Sequence, residues 1–300
     1  MDKLQNIIWQ SKFERKTNWL KALKTLESAL PIYPGEQALL EEIAVVYTSK
    51  KLYKKAIDYY QKSIELNPDS DSLFFRIANC YLSLNELNIG LYYYDKIVDP
   101  FPEAMYNKAI TLAKLGKIDK TVALLDSLIE MQPDSELPYF FLIEQHLSRK
   151  EYDIAIMHMD MTEKKFGKRG KLHFLRGVAY SYLKQWLTAY IEFQKADKLK
   201  YKSANSQRAY GIAASRIGKY DQAVTLLLSS IMLEPFNVST YLDLINIYLT
   251  RNQLLEAYNV MENAKQAGPF STSLSLLRSK ILQLIKEKYG STDHVKKPPE

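Results

Sequence analysis

Residues 173–193 read HFLRGVAYSYLKQWLTAYIEF: six aromatic rings, one glycine and two alanines, with no group placed for catalysis. Gly177 precedes Tyr180 by three places and Ala189 by twelve. The same arrangement returns as Ala44, Tyr47 and Ala56, and again as Ala78, Tyr81 and Gly90. A spacing that recurs in this way marks a repeat, so the period comes before any motif.

Aligning the small residues and prolines opens units near Lys3, Gln37, Asp71, Pro102, Glu136, Gly170, Ala204 and Val238, at intervals of 34 residues except the third, which is 31. The eighth position of a unit is small in Ala44, Ala78, Ala109, Gly177 and Gly211, and the eleventh is aromatic in Phe13, Tyr47, Tyr81, Tyr180 and Tyr248. The twentieth is Ala22, Ala56, Gly90, Thr121, Ala155, Ala189, Ala223 and Ala257. Large residues at the fourth, seventh and eleventh positions share one face of a helix, and the small eighth residue leaves room there for a second helix. The small twentieth residue does the same from the other side. Pro34, Pro68, Pro102, Pro133, Pro235 and Pro269 close most units, because proline cannot continue a helical ladder. One helical hairpin cannot bury its apolar face alone, so the hairpins must stack. The short third unit predicts a shortened second helix and local backbone opening over 97–103.

At Tyr241, Leu244, Ile245, Tyr248, Ala257, Met261 and Pro269 the last unit follows the family pattern of a large residue, Leu, Gly, Tyr, Ala, Phe and Pro at fixed offsets. Over residues 3–269 the sequence resembles the tetratricopeptide repeat family. The resemblance implies an all-α fold, a right-handed superhelical α-solenoid of eight hairpins. Unit one departs from the pattern with Gln10 at the small position, and units five and six with Gly167 and Tyr201 in place of proline. Beyond the repeats, Leu274, Leu277, Ile281 and Leu284 stand at helical spacing, predicting a capping helix over 271–289, and the tail 290–300 has too little to bury to be ordered.

Composition limits the function. Cys80 is the single cysteine, so no internal disulfide can form, and a reducing, cytoplasmic setting is expected. The opening MDKLQNIIWQSKFERK lacks an apolar core of signal-peptide length, and no run approaches the roughly 20 apolar residues of a membrane span. The net charge of +7 is spread thinly, with one dense patch at Lys164, Lys165, Lys168, Arg169 and Lys171. Lysines that follow a helix C-terminus suit the helix dipole, and this explains the patch without nucleic acid. His158 stands among Met157, Met159 and Asp160, but neighbours on a helix diverge and Met159 is at a core position, which argues against a metal site. His146 takes the eleventh position as a hydrogen-bonded core residue, and Cys80 reads as a small buried hydrophobe. No phosphate loop, serine elbow or H-E-x-x-H occurs, so no enzyme and no cofactor are expected.

Function then falls to the surface left open by stacking. Steps of about 100° put the second, sixth, ninth and thirteenth residues of a first helix opposite its packed face, with the fifth and twelfth flanking. The resemblance implies that these line a concave groove. In units three to six they include Asn79, Asn107, Ile110, Leu137, Phe141, Leu175, Val178 and Tyr182, with Phe75, Tyr106, Phe140 and Phe174 at the flanking fifth positions. The bland account is packing between neighbouring helices; the sharper one is an apolar and aromatic patch that binds a peptide or helix of a partner protein. Family members that hold the C-terminal carboxylates of heat-shock chaperones pair asparagines with basic residues. Here Asn79 and Asn107 match the asparagines, but Phe75, Leu137 and Phe141 take the basic places, which argues against a chaperone tail. The expected function is a non-enzymatic protein-interaction scaffold. Its rivals are a homo-oligomer whose groove receives a neighbouring copy, and nucleic-acid binding through 164–171.

Overall fold

A computed structural model describes residues 3–267 and 272–290. The described residues form helices and no strand, as expected of a chain with 10 glycines and 11 prolines in 300 residues. The chain divides into two compact units, Met1–Gln145 and His146–Glu300.

The first unit holds α1 (Lys3–Thr17), α2 (Trp19–Ala29), α3 (Gln37–Ser49), α4 (Tyr53–Leu66), α5 (Asp71–Ser83), α6 (Leu87–Asp95), α7 (Pro102–Lys114), α8 (Ile118–Met131) and most of α9 (Glu136–Ser148). The second holds α10 (Tyr152–Phe166), α11 (Gly170–Tyr182), α12 (Trp186–Lys198), α13 (Ala204–Arg216), α14 (Tyr220–Leu233), α15 (Val238–Thr250), α16 (Leu254–Ala267) and α17 (Thr272–Tyr289). Helices pair as α1 with α2, α3 with α4, α5 with α6 and α7 with α8, then as α11 with α12, α13 with α14 and α15 with α16. The architecture is an all-α solenoid of stacked hairpins.

The small residue of each second helix is the tightest point. Ala22, Ala56, Thr121, Ala155, Ala189, Ala223 and Ala257 have no exposed surface, so any larger side chain would drive the paired helices apart. The eleventh-position ring meets a ring twelve residues later on the second helix. Tyr47 stacks on Tyr59 and Tyr81 on Tyr93, both at 5.7 Å, and His146 stacks on His158 at 5.0 Å.

Two expectations about faces are corrected. The third and tenth positions are core as well: Leu39, Val46, Leu73, Cys80, Leu172, Ala179, Ala213 and Ile247 are buried. A first helix touches its own second helix, the second helix before it and the next first helix, as α13 touches α14, α12 and α15, so its buried arc is wide. Two sixth-position residues are drawn into that arc: Glu42 and Leu175 are buried, so Leu175 is not open to a partner. In the first unit the face is displaced. Leu4, Ser11 and Glu14 are buried on α1, whereas Phe13 and Trp9 are 66% and 65% exposed, a shift of one residue from the register of the other first helices.

The 31-residue unit shortens its second helix as expected: α6 spans 9 residues against 14 in α4 and in α8. The segment that follows is pinned, because the Asp71 carboxylate accepts from Val98 N at 3.0 Å and from Asp99 N at 2.9 Å. These bonds oppose the opening expected over 97–103. At the C-terminal end Ile281 and Ile285 of α17 are sealed against Ile245, Leu254, Ala257 and Met261. Pro269, residue 271 and the tail 291–300 lie outside the described residues.

The turns inside the hairpins share a backbone device that the sequence reading passed over. Lys51, Asn85, Gly116, Lys150, Lys184, Gly218 and Asn252 all stand at the fifteenth position of a unit with φ between 56° and 80°. The next residue's N–H then returns to the eleventh carbonyl, as in Leu52 to Tyr47 at 3.0 Å and Gln185 to Tyr180 at 2.9 Å. This left-handed conformation costs an L-residue roughly 1–2 kcal/mol, part of which glycine loses again to its freer unfolded chain. Lys51→Gly and Lys184→Gly are each expected to raise stability by about 0.5–1 kcal/mol, read from urea midpoints at unchanged slope.

Candidate partner-binding surface

The first unit brings Phe75, Asn79, Tyr106, Asn107 and Leu137 to two adjoining depressions that share Phe75. The larger, about 410 Å³, is lined by Phe75, Tyr106, Asn107, Leu137 and Pro138 among others. The second, about 380 Å³, is lined by Phe75, Asn79 and Phe101 among others. The rings are anchored from below. Phe75 meets Phe101 edge-on at 4.9 Å, and Tyr106 meets Phe141 edge-on at 5.8 Å over Ala109, Leu125 and Leu142. Phe75, Tyr106, Ile110, Phe140 and Phe141 are half-buried, so each both packs and presents a face, while Leu137 is 62% exposed. Neither the packing account nor the open-patch account holds alone for these rings.

Asn79 and Asn107 are brought together. Asn107 Nδ2 donates to Asn79 Oδ1 at 2.8 Å, and the same oxygen accepts from the Tyr94 hydroxyl at 2.5 Å. Burial pushes the Tyr94 phenol well up, so it stays protonated as the donor. The pair is thereby fixed in orientation, with Asn79 Nδ2 and Asn107 Oδ1 as its remaining donor and acceptor.

In the second unit Phe174 packs on Tyr201 at 5.3 Å and on Phe193 at 5.9 Å, Val178 is half-buried against the core of α12 to α15, and Tyr182 is exposed and stacked on Tyr152 at 5.2 Å. The basic residues Lys164 and Lys165 fall in the last turn of α10, which Gly167 ends at φ 76°.

Sequence reading missed a buried charge cluster on α10, α11 and α12. Arg176, 6% exposed, reaches Glu163 at 2.7 Å, Asp160 at 2.9 Å and Glu192 at 3.3 Å, and His173 Nδ1 lies 2.8 Å from Glu192. Burial pushes the Glu192 carboxyl up, but hydrogen bonds from Lys195 and His173 with the Arg176 charge hold it below the usual carboxylate range. The signal was present: His173 and Arg176 occupy the fourth and seventh positions, where α3 has Leu40 and Ile43. Arg176, His173 and Glu192 are buried and Asp160 stands at the exposed rim, and the cluster ties three helices together. Elsewhere His146 is buried with Nδ1 2.7 Å from Glu151, Met159 is fully buried, and burial pushes the Cys80 thiol up, away from the thiolate a nucleophile needs. Among the described residues no helix is long and apolar enough to cross a membrane.

The tetratricopeptide repeat family's sequence pattern matches residues 40–70 and 103–135. No curated protein matches the chain. Among solved structures, yeast Tom70 superposes with a TM-score of 0.59 at 17% identity, over 93% of this chain and 62% of that one. The anaphase-promoting-complex hetero-tetramer Cut9–Hcn1 gives 0.58 at 19%, over 92% of this chain and 55% of that one. A tetratricopeptide repeat protein of Parabacteroides merdae gives 0.60 at 16%, over 76% and 92%. The chain thus spans little more than half the length of the Cut9–Hcn1 chain it matches, and at these identities the likeness is one of fold. The chain is a tetratricopeptide-repeat protein.

Proposed function

We propose that this tetratricopeptide-repeat protein is a non-enzymatic interaction scaffold that binds a segment of another protein across the two depressions around Phe75. The observation that carries the reading is the combination at one place of half-buried rings, the exposed Leu137 and an oriented amide pair. An apolar side chain of a bound segment would lie on Phe75, Tyr106 and Leu137. Asn79 Nδ2 and Asn107 Oδ1 would meet a main-chain carbonyl and N–H, which fixes a peptide without reading its sequence. Phe140 and Ile110 support this patch in the first unit; in the second unit, taken by itself, Phe174, Val178 and Tyr182 are a separate proposed contact, with Tyr182 its most open member.

Affinity capture from native lysate followed by titration of the captured partner tests this. Tyr106→Ser is expected to weaken binding by about 2 kcal/mol, the size of an aromatic hot spot, with some loss of melting temperature because the ring is half-buried. Leu137→Ser separates the two effects. It should leave stability within about 0.5 kcal/mol, as surface changes do, and still weaken binding measurably. Unchanged binding in both variants would remove this surface from the scaffold's function.

A further inference from the structure

The repeat supplies its own control for a second surface, at the end of α14. The twenty-ninth position is Glu65, Glu130, Lys164 and Lys198 in the second, fourth, fifth and sixth repeats, and the thirty-third is Asp69, Asp134, Lys168 and Lys202. The twenty-fifth is Gln or Asp in each of these. In the seventh repeat the three positions hold Leu228, Met232 and Phe236, which are 45%, 79% and 79% exposed. Leu228 and Met232 stand one helical turn apart on α14, and Leu228 and Phe236 together rim a depression of about 390 Å³ walled by Tyr241, Leu244 and Val260. Phe236 is held out rather than loose. The Tyr241 hydroxyl donates to the Pro235 carbonyl at 3.0 Å, and Asn237 N–H to the Glu234 carbonyl at 3.2 Å. The same tyrosine–proline bond, Tyr139 to Pro133 at 3.1 Å, holds the turn that presents Asp134.

We propose that this face is where two copies of the chain associate about a two-fold axis, the Phe236 ring of each seated in the other's depression against Tyr241 and Val260. The proposal is independent of the surface around Phe75. Three features select a second copy. A protruding ring and a hollow that can receive one lie side by side on one patch, and a two-fold axis satisfies both at once. No formal charge stands on the ridge or in the lining of the depression, so the patch meets its own copy without repulsion. The three ridge residues expose apolar surface on the order of 400–500 Å² per copy, and two such patches with the walls of their depressions approach the roughly 1,000 Å² of a specific interface. An anionic membrane is a poorer fit: no lysine or arginine occurs between Lys219 and Arg251, and such a surface is held by basic residues beside the apolar ones.

The test is sedimentation equilibrium of the full chain from about 1 to 500 µM, the range that an interface near the size threshold calls for. The mass should rise with concentration from one chain to two, with a dissociation constant that added salt does not weaken, since no ion pair holds the contact. Phe236→Asp should raise that constant about 100-fold or more, as loss of an aromatic anchor does. Met232→Lys, which restores the residue type of Lys198, should raise it about 10-fold. Both changes lie on open surface and should leave the monomer's melting temperature within about 2 °C. Should Phe236→Asp fail to fold, Met232→Lys carries the test. In a dimer of one labelled and one unlabelled copy, isotope-filtered spectra should show the Phe236 ring of one against the Val260 methyls of the other. A single-chain mass throughout would overturn the proposal, as would a dimer indifferent to both substitutions or one without the Phe236–Val260 contact. So would a monomer that loses phosphatidylcholine vesicles, or another protein, on Phe236→Asp.

Discussion

Arg176→Leu is expected to lower the stability of the His146–Glu300 unit by about 3–5 kcal/mol, the cost of breaking a buried ion pair from one side. The substitution would leave Glu192, 5% exposed, facing His173 and Lys195 without its guanidinium, and would leave Glu163 and Asp160 of α10 with no cation from α11. The loss is electrostatic and not a matter of volume, so a second change should recover part of it. Arg176→Leu with Glu192→Gln removes the uncompensated charge and is expected to regain at least about 1 kcal/mol, a coupling readable as a double-mutant cycle in urea. Equal losses in the single and double variants would show that packing, not charge, holds α10 to α12 together.

Gly177→Val should cost about 1–3 kcal/mol or more through overpacking, even though glycine is a poor helix former and valine in its place would otherwise help α11 by roughly 0.3 kcal/mol. A Cβ at this position would come within 2.6 Å of Phe193 Cε1 and 2.7 Å of Cδ1, and that ring is itself only 2% exposed between Phe174 and Tyr210. Phe193→Leu opens the contact and should rescue the valine variant in thermal melts. The contrast is Gly90, where an added Cβ would meet the Ala78 carbonyl at 3.3 Å, so that Gly90→Ala should be close to neutral.

How far the sequence could be read follows from what each feature depends on. The twentieth-position alanines were legible because a missing side chain at fixed spacing has one meaning in a helical hairpin, and their complete burial agrees. The shortened α6 was legible as a count of residues. The width of the buried arc was not, since helical geometry alone places the sixth position away from the hairpin partner, yet Leu175 is buried in a first helix that touches more than its own partner. Phe13 fitted the aromatic pattern, yet α1 turns a different face inward, burying Glu14, which accepts from Thr25 and Gln10 at 2.9 Å. At the candidate surface the residue types were visible, but their pairing was not. That Asn79 and Asn107 bond to each other depends on α5 and α7 lying side by side, although the two residues stand 28 apart in the sequence.

The left-handed turn residues also bear on how the chain comes together in time. Each closes a hairpin whose two helices are neighbours along the backbone, so the first helix finds its mate across only a few residues, as Tyr47 finds Leu52 N–H. Contacts this local incur little loop entropy, and topologies built from them fold fast. Nucleation can begin in any hairpin and spread to the next. On a ribosome that delivers residues in order, α3 can dock on α4 while α10 is still untranslated, and the apolar faces are covered nearly as soon as they emerge.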